Sequence, residues 1–128
     1  MNIAILSKGP DNVSTKRIKA EAEERGHNVR VINYAKCYVT LEQGNPVVRY
    51  EGEEINDIDV IIPRIASNLT KYGTSIVRQF EMQGVFSTAS SLAINRTRDK
   101  LRAAQILARS GVGIPKTVFA RETAQVED

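Results

Sequence analysis

The amino end of the chain opens with an unbroken apolar run, Ile3-Ala4-Ile5-Leu6, too short for a helix and rich in isoleucine. Such a run predicts a strand covered on both faces, because a half-exposed strand would alternate apolar and polar residues. A polar break from Ser7 to Asn12 follows, then a helical pattern from Ser14 to Arg25 with Ile18 and Ala22 on one face, stopped by Gly26. Asn28 to Asn33 alternates, with Val29 and Val31 on one side, and predicts a second strand. A β-α-β opening of this kind sets a parallel pairing with a right-handed crossover. It also requires further elements to cover the sheet.

Those elements can be read downstream. Between Tyr34 and Ile55 the rhythm changes, and Val47 to Tyr50 and Glu53 to Ile55 around Gly52 predict a small inserted hairpin. Asp59 to Ile62 predicts another buried strand, ended by Pro63, which lacks an N–H for a central ladder. A helix from Leu69 to Gln83 stacks Leu69, Tyr72, Ile76 and Phe80, and Gly84 closes it. Val85 to Thr88 predicts a short strand. One long helix is expected from Leu92 to Ser110, with Ile94, Leu101, Ala104 and Leu107 or Ala108 as its apolar stripe. Gly111 caps it, and Lys116 to Ala120 resumes a strand pattern before the polar tail Arg121 to Asp128. The expected fold is α/β: an open, mostly parallel, Rossmann-like sheet with helices on both faces and a small inserted hairpin. Residues 1–110 form the α/β domain and 111–128 a linker and a strand with no obvious partner, which implies that the natural protein continues.

Composition narrows the function classes. The 128 residues suit one core, and 18 Lys and Arg against 15 Asp and Glu give an interspersed net charge of +3, which implies no nucleic-acid partner. No apolar stretch approaches the roughly 20 residues of a membrane span, the first residues lack a basic flank and cleavage site, and the lone Cys37 has no disulfide partner. A cytoplasmic location without membrane association is expected. No His, Cys or carboxylate cluster has metal-site spacing. His27 reads as a structural histidine, Cys37 as a small apolar core residue, and Glu51, Glu53 and Glu54 as a solvated edge that discourages strand pairing.

In an open parallel sheet ligands bind beyond the carboxyl ends of strands, which directs attention to loops 7–12, 33–37 and 63–70. The first carries neither Gly-x-Gly-x-x-Gly nor a P-loop, so neither nucleotide-binding mode can be built there, and it reads as a connecting loop. Arg64 ends an apolar strand on this edge, with Asn68, Thr70 and Tyr72 close behind. Its guanidinium either grips a ligand carboxylate in bidentate fashion or pairs with a neighbouring acid. The segment 95–117, NRTRDKLRAAQILARSGVGIPKT, reads on physical grounds as an amphipathic helix leading into a strand, with Arg96, Arg98, Lys100 and Arg102 on a solvated face.

That segment resembles the entry into the ATP-grasp superfamily, whose helix begins Asp-Lys and ends Gly-[Ile/Val]-x-x-Pro-x-Thr, matched by Asp99-Lys100 and Gly111 to Thr117. More narrowly, Asn2 to Ser7, Val60 to Ile65, Tyr72 to Thr74, Arg78 to Met82 and Arg98 to Arg102 resemble the RimK family of ribosomal-protein glutamate ligases over the whole chain. The resemblance implies a pre-ATP-grasp domain over 1–110 and the start of an ATP-grasp domain over 111–128. It implies ATP-dependent addition of L-glutamate to a glutamate-ended protein or peptide acceptor, such as a ribosomal protein, through an acyl phosphate. Lys100 would approach an ATP phosphate, and Arg64 and Asn68 would face substrate. No catalytic residue and no metal ligand falls in this chain: ATP and Mg would be bound mainly by polypeptide beyond Asp128, leaving the chain inactive alone. A homo-oligomer is compatible with the family. The rivals are a ligase acting on another small-molecule or carrier-protein carboxylate, and a non-catalytic docking and oligomerisation module.

Overall fold

The computed structural model describes residues 1–122, and the remainder of the polar tail, 123–128, lies outside the described residues. Two compact units are present, Met1–Asn95 and a second that begins at Arg96.

The first unit is built on four parallel strands in the order β2-β1-β6-β7: β1 (Asn2–Ser7), β2 (Asn28–Ile32), β6 (Val60–Arg64) and the two-residue β7 (Phe86–Ser87). β1 is central, in register with β2 from Asn2↔Asn28 to Leu6↔Ile32 and with β6 from Ile3↔Val60 to Ser7↔Arg64. Successive side chains of a strand point to opposite faces. Ile3 and Ile5 therefore bury against Ala22 of α1 (Val13–Glu24), whereas Ala4 and Leu6 join Ile61 and the α2 (Thr70–Met82) residues Ile76, Val77 and Phe80. Helices cover both faces, as the unbroken apolar run of β1 requires.

β6 departs from expectation, because Pro63 does not end it: the strand runs to Arg64 and Pro63 pairs with Leu6. The carbonyl of Ile61 accepts from the Thr88 N–H, so Ile61, and two residues on Pro63, turn their main-chain groups toward the β7 side. β7 has ended by then, and the missing N–H of Pro63 interrupts no ladder.

The insert is larger than a hairpin. β3 (Cys37–Thr40), β4 (Val47–Tyr50) and β5 (Glu53–Glu54) form an antiparallel sheet, of which β3 was not foreseen. Glu51 and Gly52 turn the β4–β5 hairpin with φ of 53° and 89°, the pair of left-handed residues that a two-residue turn of the primed type needs. Val48, Cys37 and Ile55 bury in the same core as Phe80, and Gln79 of α2 and Gln83, which caps the helix, bond to Pro46, Val48 and Ile55.

In α2 the buried residues are Gly73, Thr74, Ile76, Val77, Gln79 and Phe80, so of the anticipated stripe Ile76 and Phe80 are buried while Tyr72 lies at its margin. The single helix expected from Leu92 to Ser110 is two: α3 (Ser91–Arg98) and α4 (Lys100–Arg109). Asp99 between them has extended backbone and its carboxylate accepts from the Arg102 N–H, capping α4 and starting a new helix where periodicity alone saw continuity. The division into units falls within α3, upstream of the sequence boundary at 110. In the second unit α4 buries no residue, and residues 112–120 contain no strand, so the pattern at Lys116 to Ala120 is not realised as one among the described residues. A strand pattern without a paired neighbour leaves its main-chain groups unsatisfied.

Candidate functional site

β1 leads through α1 to β2 on one side, and the chain later returns to β6 on the other. The reversal opens a crevice between the carboxyl ends of β1 and β6, the place where open α/β sheets bind ligands. Ser7 and Arg64 close these two strands in register.

The Ser7 side chain is buried and fully engaged. Its hydroxyl lies 3.2 Å from the Thr15 hydroxyl, receives the Gly9 N–H at 3.2 Å and donates to the Gly9 carbonyl at 3.3 Å. The Asn12 N–H returns to the Gly9 carbonyl at 3.1 Å. A β-carbon on Gly9 would sit 2.4 Å from Asn12 Nδ2, so the loop is drawn in tightly against its own helix start. This is a closed turn and not a phosphate cradle.

Arg64 stands exposed above it and donates from Nη2 to Ser14 Oγ at 2.7 Å. Of the two readings of Arg64, the salt bridge is absent among the described residues: Arg64 takes part in none of the pairs Lys16–Asp11, Lys19–Glu23, Arg25–Glu21, Arg30–Asp57 and Arg49–Glu54. One end of the guanidinium is steered by a neutral hydroxyl, and its charge stays uncompensated. Ser14 carries no signal in the sequence that would have paired it with a residue fifty positions away.

The loop after β6 is pinned from below. Tyr34, completely buried just after β2, receives the Ala66 N–H on its hydroxyl at 2.9 Å. Ser67–Leu69 forms a single 3₁₀ turn, closed by Thr70 Oγ1 donating to the Ser67 carbonyl at 2.9 Å. This turn presents Asn68 to solvent beside a shallow hollow of about 340 Å³ lined by Asn68, Leu69, Lys71, Tyr72 and Ser75. The Tyr72 hydroxyl donates to the Cys37 carbonyl, tying the hollow's wall to the insert. Tyr34 and the Tyr72 hydrogen bond were not legible, since each depends on a partner more than thirty residues distant.

Cys37 is buried, and burial pushes its thiol up to about 12, so it remains neutral and unreactive. Burial and the neighbouring Glu51 carboxylate likewise raise the Tyr50 phenol. His27 is half-buried beside α1, away from the crevice. Lys100 is the exposed first residue of α4, directly after the Asp99 cap, in the second unit. Among the described residues no three His, Cys, Asp or Glu side chains gather as a metal site. With the Gly9 turn closed as well, the described residues offer neither a carboxylate cluster that fits a magnesium ion nor an open loop that fits a nucleotide phosphate chain. No helix among the described residues is long and apolar enough to cross a membrane.

Residues 1–94 match the protein family described as RimK PreATP-grasp domain. Over all 128 residues the chain is 51% identical to a protein named probable alpha-L-glutamate ligase from Teredinibacter turnerae, and 48% identical to one of the same name from Vibrio parahaemolyticus. In both comparisons it spans 42% of the relative's length. Among solved structures, the ATP-grasp ligase PsnB complexed with minimal precursor superposes with a TM-score of 0.63 at 16% identity, covering 90% of this chain and 44% of that one. A Chryseobacterium gregarium RiPP-associated ATP-grasp ligase, in complex with ADP and a leader and core peptide, gives 0.61 at 15% identity, covering 90% and 43%. At such identities the two structures speak for the fold.

Proposed function

The chain belongs to the RimK pre-ATP-grasp domain family, and from that premise we propose that it is the substrate-side N-terminal domain of an ATP-dependent ligase. The longer ligase adds L-glutamate to a glutamate-ended protein or peptide acceptor in the cytoplasm, a ribosomal protein being one acceptor of this kind. The acceptor carboxylate takes the γ-phosphoryl group of ATP, the amine of glutamate attacks the acyl phosphate, and phosphate leaves as the amide forms.

The observation that carries this reading is the uncompensated guanidinium of Arg64 at the switch point, steered by Ser14. A planar fork of donors at a strand's carboxyl end suits bidentate capture of a carboxylate, a group that the acceptor and glutamate both carry. Asn68, exposed on the 3₁₀ turn behind it, adds an amide to the same edge. Lys100 approaches a phosphate of ATP as a point charge, while ATP and magnesium are held mainly by the rest of the longer protein. Residues 1–110 then act as one wall and 111–128 as the entry to the ATP-binding part. Alone, the chain binds ATP negligibly, since one ammonium cannot replace a phosphate cradle.

The test is acceptor-dependent phosphate release by the full-length protein given Mg-ATP, glutamate and a panel of glutamate-ended peptides. Release only with small-molecule or carrier-protein carboxylates moves the assignment to another carboxylate-amine ligase. No release with any acceptor, together with self-association of this chain on gel filtration, moves it to a docking module.

A further inference from the structure

Tyr34 has no exposed surface and stands at the start of the insert, directly after β2. Phenylalanine would fill nearly the same space, and a hydroxyl taken out of water costs free energy unless it is bonded. This hydroxyl accepts the Ala66 N–H at 2.9 Å. Ala66 is only half-buried, and Ser67 and Asn68 after it are exposed, so water would serve that amide as well. What the bond adds is a fixed place for Ala66.

That place matters because the sheet no longer holds the chain there. The last rung between β1 and β6 is Ser7↔Arg64, and β7 pairs no further than Ile61↔Ser87. Ala66 comes two residues later. Its N–H rests on Tyr34, and its carbonyl accepts the Leu69 N–H at 3.1 Å, closing the 3₁₀ turn that carries Asn68. The base under it is itself a bonded turn: Asn33 Oδ1 accepts the Ala35 N–H at 3.1 Å, and the Lys36 and Cys37 N–H groups return to the Asn33 and Tyr34 carbonyls. Beyond the turn the Tyr72 hydroxyl donates to the Cys37 carbonyl. Residues 66–72 are thus fastened at both ends to the short segment 34–37. Ile65 adds a third hold by packing against Gly73, where no side chain stands in its way.

We propose that Tyr34 is a positioning residue, whose hydroxyl sets the place of the Asn68 turn relative to Arg64 and so the fit of the acceptor that the two side chains meet. This deepens the ligase reading and rests on it for the identity of the ligand. Arg64 draws its own position from the β1 rung and the Ser14 hydroxyl. Loss of the Tyr34 hydroxyl therefore releases Asn68 and leaves Arg64 where it stands. The insert reaches the substrate edge through one oxygen atom.

The experiment uses the full-length protein and its Tyr34→Phe, Asn68→Ala and doubly substituted forms. In Tyr34→Phe, hydrogen exchange read by mass spectrometry should quicken by roughly tenfold or more over 65–69 and stay within about threefold over β1 and β6. In acceptor-dependent phosphate release the same variant should raise the acceptor KM about fivefold and leave kcat and the KM for ATP within about twofold. With Asn68 already alanine, the change at Tyr34 should move the acceptor KM by less than about twofold, a loss of effect that general weakening of the fold would not produce. Unaltered exchange over 65–69, an unchanged acceptor KM, a parallel loss in kcat and ATP affinity, or a full effect in the Asn68→Ala background would each overturn the proposal and leave the ligase reading standing. No phosphate release by the parent with any acceptor would sink the ligase reading, and the proposal with it.

Discussion

Arg64 and Ser7 sit opposite each other at the ends of adjacent parallel strands, and the guanidinium reaches over the β1–α1 loop to Ser14 at 2.7 Å. The pairing separates two roles, for the Ser7 hydroxyl is buried and holds the loop, whereas Arg64 is exposed and holds nothing else in the first unit together. Replacing Arg64 by alanine should change stability by no more than about 0.5 kcal/mol, as befits an exposed side chain. Acceptor-dependent turnover of the full-length protein should fall by about 100-fold, corresponding to the ~3 kcal/mol of a charge-assisted bidentate contact. Arg64→Lys should recover little, because an ammonium cannot reproduce the fork. Steady-state phosphate release beside a urea melt checks both statements.

Gly73 lies within α2 against Ile65, and a β-carbon there would stand 2.5 Å from Ile65 Cγ2. Helix propensity favours Gly73→Ala by roughly 1 kcal/mol, whereas overpacking costs roughly 1 to 3 kcal/mol. The contact is too close for propensity to win, so the variant should lose about 1 kcal/mol. In an Ile65→Ala background the same change should be neutral or stabilising. A double-mutant cycle in urea measures the coupling.

Glu51 adopts a left-handed conformation, φ 53°, directly before Gly52. Asparagine tolerates that region better than glutamate, and Asn-Gly is the preferred pair for such a turn. Glu51→Asn should therefore raise stability by a few tenths to about 1 kcal/mol. It should also bring the Tyr50 phenol back down toward its ordinary value, since a carboxylate that opposes its ionisation is removed. Thermal melts and an absorbance titration of tyrosinate read the two effects separately.

Cys37 gives the fold an alkaline limit. Its thiol ionises near 9.0 when unfolded and near 12 in the native state. Between those values the unfolded chain has lost a proton that the folded chain retains, so stability falls as pH rises, by up to about 1.4 kcal/mol per pH unit. Below 9 the group contributes no slope. Cys37→Val removes this contribution, and the stability difference between parent and variant should shift in the variant's favour from pH 9 upward. Equal slopes in paired urea melts across that range would contradict it.

Strands β1, β2 and β6 and helices α1 and α2 were legible because each buries a face whose period appears in a few consecutive residues. What escaped depended on distant partners. β3 became a strand by pairing Tyr38 with Arg49 and Val39 with Val48, and nothing local to Cys37–Thr40 announces that. Pro63 looked like a terminator because its effect turns on which neighbour lies opposite, a property of strand order. The break at Asp99 was visible in kind, as a residue well suited to an N-cap, but a continuous apolar period outweighed it. In the site, Arg64 was found from its position at a strand end, whereas Ser14 and Tyr34 owe their places to tertiary geometry.

The three-stranded insert shares its interior with the main sheet through Tyr34, Cys37, Val48 and Ile55. It is consequently no removable cassette. Transplanting those residues between homologous proteins would also rebuild the floor beneath α2. Insert and helix here have to drift together, one compensating substitution at a time.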